Sequence, residues 1–313
     1  MSKLHEAYSL EVSNYFNKLS SNSFEKTQCI FCGDKGRRYK IFTKETLHVF
    51  RCDCGHVYSG YQPTQEALDV FYEKSNAMSD WANIKKTDIE ELKQRQKYQK
   101  VVDFIKENEV NSVLDIGCGN GFFLSMLPKE IEKVGVDQNE AALKVATSKG
   151  LNCMNFSVEE ILNIMDENNH TYDAITLFGV LEHLKDPLWL MDKLKKYINK
   201  YLIVIVPNVD SAVVRQTWRE CFTFCPQHLN YFSSDSLWLA YRESGYKEVA
   251  YWTIEPELKP TIRASHGFPP YGEIPEWAMD SIYSTEIHKT QEEAILKMNQ
   301  GYKIVFIGEK CDT

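Results

Sequence analysis

The chain has 313 residues, 43% hydrophobic and 26% charged, with a formal net charge of −8. At about 150 residues per domain the length suits one large globular domain and a small one. The acidic balance excludes a broadly basic surface for gripping long nucleic acids, and no apolar run approaches the roughly eighteen residues of a membrane span. A small-molecule partner is therefore expected, with nucleic acid unlikely. The opening residues, "MSKLHEAYSLEVSNYF", carry neither an apolar signal region nor a cleavage site, which implies a cytoplasmic protein.

Residues 1–24 read as a polar lead with room for one short helix. Residues 25–60 carry four of the nine cysteines and short β-type runs such as "LHVFRC". Residues 61–108 look like a helical linker or lid, with "TQEALDVFYEKS" and "DIEELKQRQKYQKVVDFIKENE" as its helices. From 109 to 313 strands alternate with helices, the α/β pattern of a parallel sheet covered on both faces. The strand candidates are 112–117, 133–137, 151–155, 172–178, 201–207, 248–254 and 302–309. An insertion at about 255–300 begins as proline-rich loop and ends in a helix from about 276 to 298.

Cys29 and Cys32 stand two residues apart, and after 19 intervening residues come Cys52 and Cys54. Two close pairs of thiolates suit a closed tetrahedral Zn²⁺ site with no open position, hence a structural ion. The second pair is one residue short of the usual spacing, so His56 is an alternative ligand in place of one cysteine. The remaining cysteines, at 118, 153, 221, 225 and 311, read as small core residues.

The run "VLDIGCGNGFFL" places Asp115 at the end of a strand, then Gly117, Gly119 and Gly121 before a helix. Glycines there allow a sharp turn and close backbone approach to a ligand, at the strand end where open α/β sheets bind one. Asp137 ends the next strand, at the spacing of an acid that accepts from ribose hydroxyls. The run is not the GxGxxG of dinucleotide enzymes, and a carboxylate at Asp115 would repel a pyrophosphate but suits a cationic ligand.

With these residues in view, "LDIGCGNG" resembles the first motif of class I S-adenosylmethionine-dependent methyltransferases. "VGVD" is similar to their second-strand acid, "FGVLEHLKDP" to their fourth-strand motif, and "PQHLNYFS" to a segment after strand five. The resemblance covers roughly 109–309. Together with the four-cysteine module it extends to deoxysugar C-methyltransferases and related small-molecule enzymes. It implies a Rossmann-like, seven-stranded sheet with helices on both faces, plus a small zinc-ribbon-like module. The implied cofactors are S-adenosyl-L-methionine and structural Zn²⁺. Asp115, Gly117 and Gly119 would lie near the methionine part of the former, Asp137 at the ribose, Ser157 and Val158 beside the adenine, and Phe178 and Gly179 beneath the methionyl group.

Methyl transfer from a sulfonium is an in-line displacement, and an acceptor with a mobile proton needs a nearby base. The candidates are Glu182 and His183 after the fourth strand, and His228 with Tyr231 after the fifth. A loop-orienting role for Glu182 and His183, and a hydrogen-bonded core histidine at 228, are the alternatives. Tyr72, Trp81 and Tyr231 are candidates to line the pocket. The acceptor expected is a small or carrier-linked molecule, with a sugar nucleotide favoured. The other readings are an RNA- or tRNA-modifying methyltransferase that uses the zinc module as a grip, and a non-catalytic cofactor-binding protein.

Overall fold

The computed structural model describes residues 3–74, 88–271 and 285–311. The chain divides into two compact units, each built from three stretches. One takes residues 1–67, 206–237 and 251–305, and the other takes 68–205, 238–250 and 306–313.

In the first unit, β1 (Phe24–Lys26) pairs antiparallel with β5 (Tyr61–Pro63). The cysteine region forms an antiparallel sheet of β2 (Arg38–Lys44), β3 (Leu47–Cys52) and β4 (Val57–Ser59). A fourth strand completes it from far along the chain. β11 (Asn230–Tyr231) pairs with β4, placing Asn230 opposite Tyr58 and Tyr231 opposite Val57. Period-two alternation explains the need: Leu47 and Val49 share one face of β3, and Val57 joins them. Those side chains are covered by Val213, Val214, Cys221, Phe224, Tyr231 and Tyr302 in one apolar cluster.

The compact units are thus interleaved along the chain. Residues 206–237 and 251–305 group with the cysteine region. A segment below about 40 residues buries too little surface to hold a core by itself. Chain from later in the sequence supplies the missing cover.

A second, mixed sheet has seven strands. They are β6 (Ser112–Ile116), β7 (Glu132–Asp137), β8 (Asn152–Asn155), β9 (Tyr172–Phe178), β10 (Ile198–Pro207), β12 (Tyr246–Ile254) and β13 (Lys303–Lys310). Of these, β6, β7, β8 and β9 lie wholly within the second unit and β10, β12 and β13 within it in part. The order is β12-β13-β10-β9-β6-β7-β8, and β10, β9, β6, β7 and β8 run parallel. Each expected strand is present with its ends shifted by no more than a few residues. The central strands are apolar on both faces because helices flank them, and Val113, Leu114, Ile175, Leu177 and Ile203 are all buried. Successive strands step outward on opposite sides of β6, so the β6–β9 boundary is a topological switch point.

Helix starts are written locally. Asn139 caps 140–148 by accepting from the Ala142 amide, and Asp186 caps 187–194 by accepting from Trp189. The helix Ser234–Glu243 starts at the Ser233 hydroxyl, which accepts from the Ser236 amide, and is followed by Gly245 at φ 76°. The expected helix at 276–298 is seen over Thr285–Lys297, and its beginning lies outside the described residues, as does Trp81. Among the described residues no helix is long and apolar enough to cross a membrane.

His56 shows how tightly the late strand is bound in. It is 1% exposed, and its Nε2 lies 3.1 Å from the Asn230 side-chain oxygen, 174 residues away in sequence. Replacing Asn230 by Ala removes that partner from a buried imidazole, which costs about 1–3 kcal/mol. Urea unfolding of Asn230→Ala at neutral pH should show a midpoint lowered accordingly, whereas an unchanged midpoint would show that β11 is held without this bond.

Candidate functional site

The glycine-rich turn after β6 is set by backbone geometry and one carboxylate. Gly117 lies at φ 78°, and a Cβ there would come within 2.6 Å of Val180 Cγ2. Gly119 lies at φ 53°, with nothing within 4 Å of where its Cβ would be. The first glycine is thus required by conformation and packing. The second is required by conformation alone and leaves the outer side of the turn clear for a ligand.

Asp137, at the end of β7, anchors the turn. One of its carboxylate oxygens accepts from the Gly119 amide at 2.7 Å and the other from the Asn139 amide at 2.8 Å. Two backbone donors orient the acid and stabilise its ionised form. Asp115 is 2% exposed and accepts from the Thr176 hydroxyl at 2.6 Å, across the β6–β9 ladder. Thr176 had no signal in the sequence beyond its place in an apolar strand, yet it fixes the rotamer of Asp115.

Ser157 caps the helix Val158–Asn168 in a reciprocal box. Its hydroxyl accepts from the Glu160 amide, and the Glu160 carboxylate accepts from the Ser157 amide at 2.8 Å. The Ser157 amide and the acceptor side of its hydroxyl are thereby engaged. Val158, the first residue of the helix, carries one of the four leading amides that have no intrahelical acceptor.

Phe178 ends β9 in an aromatic group with Tyr98 and Phe123, its ring centroid 5.4 Å and 4.8 Å from theirs. Gly179 follows at φ 73°, exposed, its amide donating to Ile205 O at 2.8 Å. Glu182 is buried just beyond. His183 is half-buried, and its Nδ1 lies 3.2 Å from the Tyr72 hydroxyl. That hydrogen bond gives Tyr72 a defined partner. Asp115, Gly117, Gly119, Asp137, Ser157, Val158, Phe178, Gly179, Glu182 and His183 all belong to the second unit.

Residues 90–251, just over half of the chain, match the family model described as "Methyltransferase domain". The chain belongs to that family. Over 80 residues this methyltransferase-family chain is 36% identical to the ubiquinone biosynthesis O-methyltransferase of Nitrosospira multiformis, covering 24% of this chain and 34% of that protein. Over 158 residues it is 25% identical to a Papaver bracteatum protein named probable (S)-tetrahydroprotoberberine N-methyltransferase 2, covering 46% and 43% of the two. The match thus spans about a third of the ubiquinone-biosynthesis relative's length. The fold is that of the magnesium protoporphyrin IX methyltransferase of Synechocystis, solved with bound S-adenosylhomocysteine. That likeness covers 79% of this chain and 100% of the other, with a TM-score of 0.52 and 12% identity.

The methyltransferase-family chain carries its other candidate residues in the first unit. His228 is nearly buried, and its Nδ1 lies 2.7 Å from Thr223 O. A carbonyl only accepts, so Nδ1 bears the proton and Nε2 is the basic nitrogen of the neutral ring. Tyr231 is 2% exposed within the apolar cluster under β3 and β4, 5.0 Å from Phe224. Burial pushes its phenol well above the usual range, and its hydroxyl has no hydrogen-bond partner among the described residues.

The four thiols Cys29, Cys32, Cys52 and Cys54 converge, all their sulfurs lying within 4.8 Å of one another. The knuckles hold them there: the Gly33 amide donates to Cys29 O at 2.9 Å and the Gly55 amide to Cys52 O at 2.8 Å. His56 is not among these ligand-bearing residues. Its ring packs between Phe31, Tyr58 and Phe232, and its Nε2 is engaged by Asn230.

Asp137→Ala removes the acceptor that fixes Gly119. It should weaken S-adenosylhomocysteine binding at least ten-fold by calorimetry while leaving the far-ultraviolet circular dichroism unchanged. Undiminished affinity would take Asp137 out of the cofactor site.

Proposed function

We propose that this protein transfers the methyl group of S-adenosyl-L-methionine to a small or carrier-linked acceptor. The observation that carries this reading is Asp137, held by Gly119 and Asn139 beside a glycine turn whose outer side is clear. The fit is chemical as well as steric. An oriented carboxylate takes ribose hydroxyls, a left-handed glycine presents backbone to a ligand, and the buried acid Asp115 suits a cationic methionyl end. The Val158 amide, with no intrahelical acceptor, fits an adenine nitrogen, with Ser157 beside it. Phe178 and Gly179 form the floor under the methionyl part.

S-adenosyl-L-methionine supplies an electrophilic methyl on a sulfonium, so the chain's task is to position the acceptor and manage its proton. We assign the proton to a histidine. His228 has the tautomer for it, with Thr223 holding Nδ1–H, which makes Nε2 the basic nitrogen. His183, oriented by Tyr72, is the second candidate, and Glu182 is assigned to setting the loop. The relatives' names concern ubiquinone biosynthesis and a tetrahydroprotoberberine, which supports a small-molecule acceptor. Among these we favour a sugar nucleotide, on the likeness of the four-cysteine module to that of deoxysugar methyltransferases.

Four thiolates in two close pairs fit one tetrahedral Zn²⁺. Such an ion would be closed and structural, holding the two knuckles together. Elemental analysis of protein purified without chelators should find about one zinc per chain, and Cys32→Ser should abolish it and lower the thermal midpoint. Absence of zinc in the parent protein would overturn the assignment.

The function itself is tested by incubating the protein with S-adenosyl-L-methionine and a panel of nucleotide sugars and quinone precursors, reading added methyl mass. His228→Ala should lower turnover on the acceptor found by about 10²–10⁴-fold with S-adenosylhomocysteine affinity intact. If His183→Ala does so and His228→Ala does not, the base is His183. If neither does, the histidine-base reading fails.

A further inference from the structure

Two cysteines that the methyl-transfer reading does not use meet beneath the glycine turn. Cys118 lies between Gly117 and Gly119, and Cys153 lies in the neighbouring strand β8. Between them runs β7, where Gly135 is paired with Cys153. A Cβ built on Gly135 would come within 2.7 Å of Cys118 Sγ and 2.8 Å of Cys153 Sγ. The two sulfurs therefore share the space that a single methyl group would need, and only a glycine at 135 admits both. Cys118 is buried and Cys153 half-buried.

The two thiols differ in character. Cys153 is the more accessible of the two, and their proximity lowers its thiol while raising that of Cys118, so Cys153 is the one that meets an oxidant as thiolate. An accessible thiolate beside a protonated resolving thiol is the arrangement of oxidant-sensitive cysteine pairs.

We propose that Cys118 and Cys153 are a modification site, which a hydroperoxide converts to a disulfide that disables the glycine turn for cofactor binding. The Cys153 thiolate attacks the peroxide, giving a sulfenic acid and releasing hydroxide. The Cys118 thiol then displaces water from that sulfur, forming the S–S bond. Peroxide is reduced by two electrons and the thiol pair is oxidised by two. The bond needs the Cβ atoms at about 3.8 Å. Cys153 is locked in a parallel ladder, whereas Cys118 sits in the turn, so the turn is what moves. That displacement pulls on Gly119 and its bond to Asp137. The consequence for binding rests on the cofactor reading given above.

The test uses full-length, zinc-replete protein treated with one equivalent of hydrogen peroxide. Peptide mapping without reductant should find the 118–153 link with a loss of two hydrogens. S-adenosylhomocysteine affinity should fall at least five-fold and return with dithiothreitol. Cys153→Ser leaves the four zinc thiols in place and should show neither the link nor the fall. Failure of the link to form, a link without loss of affinity, or an equal loss in Cys153→Ser would each overturn the proposal. If the reduced protein binds no S-adenosylhomocysteine, the cofactor reading fails and takes the inference with it, even where the link forms.

Discussion

The pairing of two residues, Asn230 and Tyr231, with β4 is the constraint on which the first unit depends. Beside this short ladder Leu229 O accepts from the Ser59 amide and the Gln62 side chain, so the edge of the cysteine sheet is closed by main chain as well as by packing. Tyr231 then sits in the apolar cluster while Asn230 reaches the buried imidazole of His56. A four-cysteine module is commonly thought of as an appendage. Here it has no complete core without residues from the last third of the chain, so stability of the cysteine region and folding of the later segment are one event.

In the second unit the corresponding constraint is electrostatic. Asp137 is needed twice, to pin the turn through Gly119 and to present a carboxylate at the strand end. A neutral or longer side chain would serve one of these roles at most. Thr176 does for Asp115 what the backbone amides do for Asp137, holding a buried carboxylate in one orientation without neutralising it. Both acids are thus pre-oriented, and a ligand that meets them needs little reorganisation of the protein.

The strands of the seven-stranded sheet were legible because a parallel strand covered on both faces must be continuously apolar, as in 202–206, and a run that short and that apolar fits little else in a folded chain. The glycine turn and Asp137 were legible from spacing. The limits lay where two residues distant in sequence meet. β11 is only two residues long and gives no periodicity to read. Asn230 lies two residues from His228 and carries no local signal, because its partner is 174 residues away. Tyr98 looked like any helical aromatic until its ring was found against Phe178. Cys118 and Cys153 read separately as small core residues, and only the bare Cα of Gly135 between them makes a pair. The interleaving of the two units is likewise a matter of chain distance.

Interleaving also has a consequence for synthesis. A ribosome delivers Cys29 through Cys54 long before the residues that close their sheet exist. Until residue 231 emerges, β4 has an open edge and Leu47, Val49 and Val57 lack their cover. During that interval the nascent chain displays an adhesive strand of the sort that chaperones shield. Slow codons or a stall between the cysteine region and β11 would act on yield, not on the finished protein.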